Sequence, residues 1–226
     1  MPQVRSGGPR PRKALGQHFL RDTGLLADIA AALRVPPGGL AVEIGAGTGQ
    51  LTGALLALGH RIVAIEVEPR LVTHLQRRFA ANSNLAIVTA DARDLDLDSV
   101  VPAGMPFAVA GNLPYFAANP IIRHVLEGAP QPAEMVVMVQ REVGRELAAD
   151  PGHFSLLTVS VLVYAEPERL FDVPPEAFDP PPSVVSTVVR LTLRERPLVP
   201  PARNEAFFAL VSSTFRSPRK QVHNAL

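Results

Sequence analysis

The 226-residue chain contains no cysteine and no tryptophan, only two tyrosines, and only two lysines beside twenty arginines. Without cysteine, disulfide staples, thiolate metal sites and thiol catalysis are all excluded. No apolar run reaches the roughly 18 residues that a membrane-spanning helix needs. The N-terminus is rich in arginine and proline where a signal peptide requires an apolar stretch. A soluble, cytoplasmic protein is expected. Apolar residues make up 47% of the chain, enough for the core of one ordinary α/β domain, with room for a small appendage.

The formal net charge of +1 conceals an asymmetry. Residues 1–13 carry +4 through Arg5, Arg10, Arg12 and Lys13, with no acid, and residues 190–226 carry +5, which leaves −8 for the middle. Basic ends on an acidic body suit a polyanionic partner held at the rims of a site. A solvated tail and a solvated helix face account for the same charges. Arginine in place of lysine favours bidentate phosphate contacts.

Residues 1–13, broken by Pro2, Pro9 and Pro11, read as a flexible basic arm. The apolar spacing of Leu25–Leu33 predicts a helix, stopped by Pro36-Pro37-Gly38-Gly39. Strand and helix patterns then alternate: Leu40–Ile44 strand, Gly49–Leu58 helix, Arg61–Ile65 strand, Pro69–Phe79 helix, Leu85–Thr89 strand. Phe107–Ala110 and Met135–Val139 follow as strands, Pro120–Leu126 and Glu142–Ala149 as helices. This alternation predicts βαβ units and a parallel sheet covered on both faces. The β-branched runs Leu156–Tyr164 and Val184–Leu193 predict a closing antiparallel pair, joined by a proline-rich loop at Pro174–Pro182. Arg203–Phe215 reads as a last helix.

Two motifs close strands. Glu43-Ile44-Gly45-Ala46-Gly47-Thr48-Gly49 is a glycine turn between a strand and a helix, where a backbone without side chains lets a ligand approach. Alone it does not separate a nucleotide site from an ordinary tight turn. Glu66 ends the next strand, in position to accept hydrogen bonds from ribose hydroxyls, and Asp91 follows the third, in position to accept from the amine of an adenine. Either acid also reads as a helix cap. Three such features at successive strand ends favour adenosine, since ligands of open α/β sheets bind beyond the carboxyl ends of the strands. NAD and S-adenosylmethionine both offer adenosine. Glu43 beside the glycines disfavours a pyrophosphate there.

The second motif, Asn112-Leu113-Pro114-Tyr115, offers the Asn112 amide oxygen and the Leu113 carbonyl as acceptors for one NH2 group, on a backbone stiffened by Pro114. The Tyr115 ring offers a face on which a base can stack. Two acceptors aimed at an amine orient its lone pair for in-line attack on a sulfonium methyl. A β-turn with a buried tyrosine is the plainer reading of the same four residues.

With these motifs in place, the chain resembles the rRNA adenine N6-dimethyltransferases, the KsgA and Erm group, and most closely its KsgA side. The likeness runs from Leu15 to Leu226 through Leu15-Gly16-Gln17-His18-Phe19-Leu20, the glycine turn, Glu66, Asp91, Gly111–Tyr115, Gln140-Arg141-Glu142-Val143 and Phe178–Val184. It implies a Rossmann-like class I S-adenosylmethionine-dependent methyltransferase with a mostly parallel seven-stranded sheet and helices on both faces. Residues 14–195 would form the catalytic domain, and 196–226 the start of a C-terminal helical region. By the same resemblance His18, Leu20, Gly45, Gly47, Glu66, Asp91 and Asn112 would hold S-adenosylmethionine. Asn112, Leu113, Tyr115 and Phe178 would serve the target base, with Tyr115 and Phe178 sandwiching it. Without the resemblance, Phe178 reads as core. No metal is implied. The implied activity is dimethylation of adenine N6 in small-subunit rRNA, on the assembling subunit, by a monomer. An Erm-type enzyme acting on large-subunit rRNA, or an RNA-binding module without turnover, are the alternatives. The chain departs from the family at Phe116, where a polar residue is usual, and at Pro218 near the end.

Overall fold

The computed structural model describes Pro9, Pro11, Arg12 and residues 17–215. Most of the expected basic arm, and the segment from Arg216 onward, lie outside the described residues.

After the short strand β1 (Phe19–Leu20) the chain runs α1 (Thr23–Ala32), β2 (Leu40–Ile44), α2 (Gln50–Ala57), β3 (Ile62–Glu66), α3 (Pro69–Arg78) and β4 (Leu85–Thr89). It continues as β5 (Phe107–Asn112), α4 (Ala118–Glu127), β6 (Glu134–Gln140), α5 (Arg141–Leu147), α6 (Leu156–Tyr164), β7 (Ala165–Val173), β8 (Phe178–Asp179), β9 (Ser186–Leu193) and α7 (Asn204–Phe215). Local chemistry sets several boundaries. Asp22 caps α1 by accepting the Leu25 N–H at 3.0 Å, which satisfies one of the orphan donors of the first turn. Pro69 opens α3, and Arg77 and Arg78 close it against the negative end of its dipole.

Seven strands form one sheet in the order β4-β3-β2-β5-β6-β9-β7. β2 to β6 pair in parallel, and β9 runs antiparallel to both β6 and β7. Alternate residues of the central strands face opposite sides. Leu40, Val42, Ile44, Phe107 and Val109 join a core completed by α4 and α6. Ala41, Ala64, Ala108 and Ala110 join a second core with Leu26 and Ile29 of α1 and Leu51 and Leu55 of α2. Burial on both faces explains why the parallel strands read as unbroken apolar runs. β1 and β8 form a separate two-stranded ribbon, with Leu20 opposite Phe178.

The expected strand at Leu156–Tyr164 is instead the helix α6. A capping box starts it: Thr158 N–H donates to Ser155 Oγ at 3.2 Å, and Ser155 N–H donates to Thr158 Oγ1 at 3.0 Å. Its β-branched residues suggested a strand because the helix packs among α4, α5 and α7 and is apolar nearly all round, which erases the helical period. The antiparallel partner of β9 is β7, whose Ala-Glu-Pro-Glu-Arg start gives no strand signal. It is the edge of the sheet, the one place where proline and charge are tolerated in a strand. The expected Pro174–Pro182 loop holds a 3-10 turn and β8. Among the described residues, no helix is long and apolar enough to cross a membrane.

One buried ionic network ties the antiparallel end to α1. Arg190 donates to Glu168 Oε2 at 2.8 Å and to the Ala32 carbonyl at 2.8 Å. Its Nε lies 3.6 Å from buried Glu134, which also accepts the Arg34 N–H at 2.6 Å. Removing one member of such a set leaves a buried charge poorly compensated. Arg190→Ala should therefore lower stability by about 3–5 kcal/mol, seen as a lower urea midpoint at unchanged slope. A loss under about 1 kcal/mol would class the network with solvated surface pairs.

Candidate active site

Along the chain, β2, β3 and β4 build outward in one direction, and β5 and β6 then build outward on the other side of β2. The order reverses between β2 and β5, where open α/β sheets form a ligand crevice. The two sequence motifs flank this point. Ile44 of β2 lies opposite Gly111 of β5, so the glycine turn and Asn112 leave adjacent strands side by side. Gly45, Gly47 and Gly49 all take left-handed φ values of +73°, +59° and +78°. At Gly49, which opens α2, a Cβ would also lie 2.6 Å from the Phe79 ring. All of the site residues expected from sequence except Phe178 line a single cavity of about 390 Å³ at this crevice.

On the glycine side, Glu66 is already held by the backbone. Gly47 N–H donates to its Oε2 at 2.8 Å and Glu68 N–H to its Oε1 at 2.9 Å. Each oxygen keeps a further lone pair for a ligand hydroxyl. Asp91 lies in a fork made by Arg93, whose Nε is 3.0 Å from Oδ1 and whose Nη2 is 2.5 Å from Oδ2. Hydrogen bonds from Arg93 hold the Asp91 carboxyl below its ordinary range, so it is ionised and accepts only. Thr48 Oγ1, within the glycine turn, is buried with no hydrogen-bond partner among the described residues. A cradle without side chains, an unused hydroxyl and a carboxylate pre-set at a strand end fit an adenosine-bearing cofactor. Among the described residues no cluster of His, Asp or Glu is arranged to hold a metal ion.

On the other side, Asn112 donates its amide N–H to the His18 carbonyl at 3.1 Å. That bond fixes the amide, leaving its oxygen as the free acceptor. Tyr115 is held at both ends. Its hydroxyl pairs with Ser186 Oγ at 2.8 Å, and its ring stacks on His18 with centroids 5.9 Å apart and planes 23° from parallel. The spacing is within the range of an interacting ring pair, with His18 offset along one side of the tyrosine ring. Burial raises the Tyr115 phenol pKa. His18 is itself tied down, its Nδ1 donating to the Pro180 carbonyl at 2.8 Å.

Phe178 does not join this site. It is 5% exposed and belongs to the core shared by Leu20, Leu26 and Ala177. Pairing of β8 with β1 places it there, and its part is to fix β1 and so His18. Phe178 is not among the residues that line the cavity.

Sequence reading missed a clasp at the entrance. Glu68 accepts from Gln17 Nε2 at 2.7 Å and from Arg70 Nε at 2.9 Å, and lies 3.4 Å from Arg12 Nη1. Gln17 in turn accepts the Arg12 N–H at 2.9 Å. Arg12 and Gln17 are thus held at Glu68, whose N–H donates to Glu66. A second acid two residues after Glu66 was the available signal, but just ahead of Pro69 it reads as a helix cap.

The sequence profile of the ribosomal RNA adenine dimethylases matches residues 8–226. The chain belongs to that family. It is 39% identical over 234 residues to ribosomal RNA small subunit methyltransferase A of Moorella thermoacetica, a match covering 99% of this chain and 81% of that protein. To the protein of the same name from Pseudomonas aeruginosa it is 38% identical, covering 96% and 82%. Among solved structures, a dimethyladenosine transferase from Plasmodium falciparum superposes with a TM-score of 0.80 at 25% identity, covering 92% of this chain and 74% of that one. The 23S rRNA methyltransferase ErmE superposes with a TM-score of 0.77 at 30% identity, covering 92% and 82%. Family and fold together make the protein a Rossmann-like, S-adenosylmethionine-dependent rRNA adenine dimethyltransferase.

Glu43 gives the site a pH signature. It is 1% exposed, and burial raises its pKa from 4.5 to about 8, against the lowering effect of the Thr52 hydroxyl that donates to it at 2.5 Å. Between those values the folded protein holds a proton that the unfolded chain has released. Stability therefore falls as pH rises from about 4.5 to about 8 and levels beyond. Glu43→Gln, neutral throughout, should gain on the parent across that window. Urea midpoints that keep a constant difference between about pH 5 and pH 9 would mean that Glu43 is ionised in the fold.

Proposed function

We propose that the protein methylates adenine N6 in small-subunit rRNA, acting in the cytoplasm as a monomer on the assembling subunit, with residues 14–195 as its catalytic unit. The observation that carries the site assignment is the Asn112 amide, turned by the His18 carbonyl so that its oxygen points away from the protein's own donors, one strand from the glycine turn. Glu66 holds the ribose of the cofactor, Asp91 its adenine amine, and Gly45 and Gly47 give its methionine end room. His18 and Leu20 close over it from β1. Bound S-adenosylmethionine supplies an electrophilic methyl on a positively charged sulfur.

The protein's own share is positioning. Asn112 Oδ1 and the Leu113 carbonyl accept the two protons of the adenine amine, and this draws its lone pair toward the methyl. The base stacks on the Tyr115 face that His18 leaves open. No side chain forms a covalent bond, and the amine proton leaves to water after transfer. Two amide acceptors and a ring suffice because ordering the reactants is itself worth several powers of ten in rate. The likeness to ErmE favours a second reading, methylation of large-subunit rRNA. Mass spectrometry of both rRNAs after incubation with the enzyme separates the two.

Two substitutions test the site. Asn112→Ala should cut methyl transfer to a small-subunit particle by about 100-fold or more at unchanged melting temperature; parent-like activity would make the motif a structural turn. Glu66→Ala should weaken S-adenosylmethionine binding by about 1.5–3 kcal/mol in calorimetry, and unchanged affinity would remove Glu66 from the ribose.

A further inference from the structure

Phe116 has no structural employment. It is 65% exposed and belongs to neither apolar core, although its neighbours Ala117 and Ala118 are buried. Leaving a phenyl ring in water forgoes the stabilisation that its burial would supply. The Phe116 backbone is nevertheless held in place: the turn that carries it is closed by the Ala117 N–H on the Pro114 carbonyl at 2.9 Å, and α4 starts two residues on. Of the large apolar side chains that are exposed among the described residues, only Val67 and Phe116 line the cavity. Val67 follows Glu66 on the glycine side. Phe116 follows Tyr115 on the acceptor side.

We propose that Phe116 is the stacking platform for the nucleotide next to the target adenine, and so a determinant of which sequence context the enzyme accepts. The assignment rests on the RNA-methylating reading given above. Tyr115 cannot serve both bases. Its ring is fixed by the neighbouring His18 and by its hydroxyl on Ser186, so the face it turns to the cavity takes one ring. Consecutive Cα atoms lie about 3.8 Å apart, and a strand whose target base enters at Tyr115 passes Phe116 with its neighbouring base. A phenyl ring carries no donor or acceptor. It reads a base by its face, favouring strong stackers over weak ones without naming a single base.

The test uses the full-length protein and small-subunit particles that lack the modification. Phe116→Ala should raise the KM for the particle about 5- to 100-fold, the range for losing one base–aromatic stack. The kcat at saturating particle should stay within about twofold, and the affinity for S-adenosylmethionine and the melting temperature should not change. Phe116→Trp should restore the parental KM. In a short RNA bearing the target adenine, removing the base on one side of it should cost the parent a similar factor and cost Phe116→Ala nothing more. An unchanged KM would overturn the assignment. So would a loss confined to kcat or to cofactor affinity, or base removal that penalises both proteins equally on either side. If the parent transfers no methyl to the particle at all, the underlying reading fails and the assignment falls with it.

Discussion

The contact on which the site depends is the backbone pairing of β2 with β5, where Ile44 lies opposite Gly111. A Cβ at position 111 would lie 2.7 Å from the Ile44 carbonyl oxygen, closer than unbonded atoms approach. Any side chain there would part the two strands. They are the two that carry the glycine turn and Asn112, so the parting would separate the two halves of the cavity. Neither half of the site contains the information that fixes the distance between them. A glycine inside a β-strand, poor by propensity, is retained where backbones must meet.

The two faces of the sheet divide the labour. One is filled by large side chains, Val42, Ile44, Phe107 and Val109 among them, packed against α4 and α6. The other is paved with alanine at positions 41, 64, 108 and 110. Glu43 alternates with Ile44 and Val42 and so falls on the alanine face, where it meets Thr52 of α2. Small residues let α1 and α2 sit close to the strands, and burial keeps the acid protonated beside the cavity. The same acid that marked the motif in the sequence is chemically a neutral group in the fold.

The parallel half of the molecule was legible in the sequence because its central strands β2, β3, β5 and β6 are buried on both faces and glycine and proline mark the breaks between its elements. Leu40–Ile44 and Leu85–Thr89 match the observed strands end to end. The antiparallel half was not. α6 hides its period behind burial on most sides, and β7 carries edge chemistry that imitates a loop. The lining of the cavity was legible where backbone geometry demands a residue type, as at Gly45 and Gly47, or where an acid or amide closes a strand, as at Glu66 and Asn112. It was illegible where position depends on pairing between distant segments. Phe178 sits in the core because β8 meets β1, and His18 stacks on Tyr115 across ninety-seven positions of chain. No local pattern announces either.

The edge strand β7 also settles how the sheet ends. Its outer side offers no regular ladder for another chain: Pro167 lacks an N–H, the register slips between Arg169 and Phe171, and Glu166, Glu168, Arg169 and Asp172 line the strand with charge. Each is a device by which natural sheets refuse a further strand. A six-stranded sheet that stopped at β9 would present the β-branched run Ser186–Leu193 as a template for self-association. A poorly strand-forming sequence at the margin thus shields a long β-branched strand from pairing with another chain.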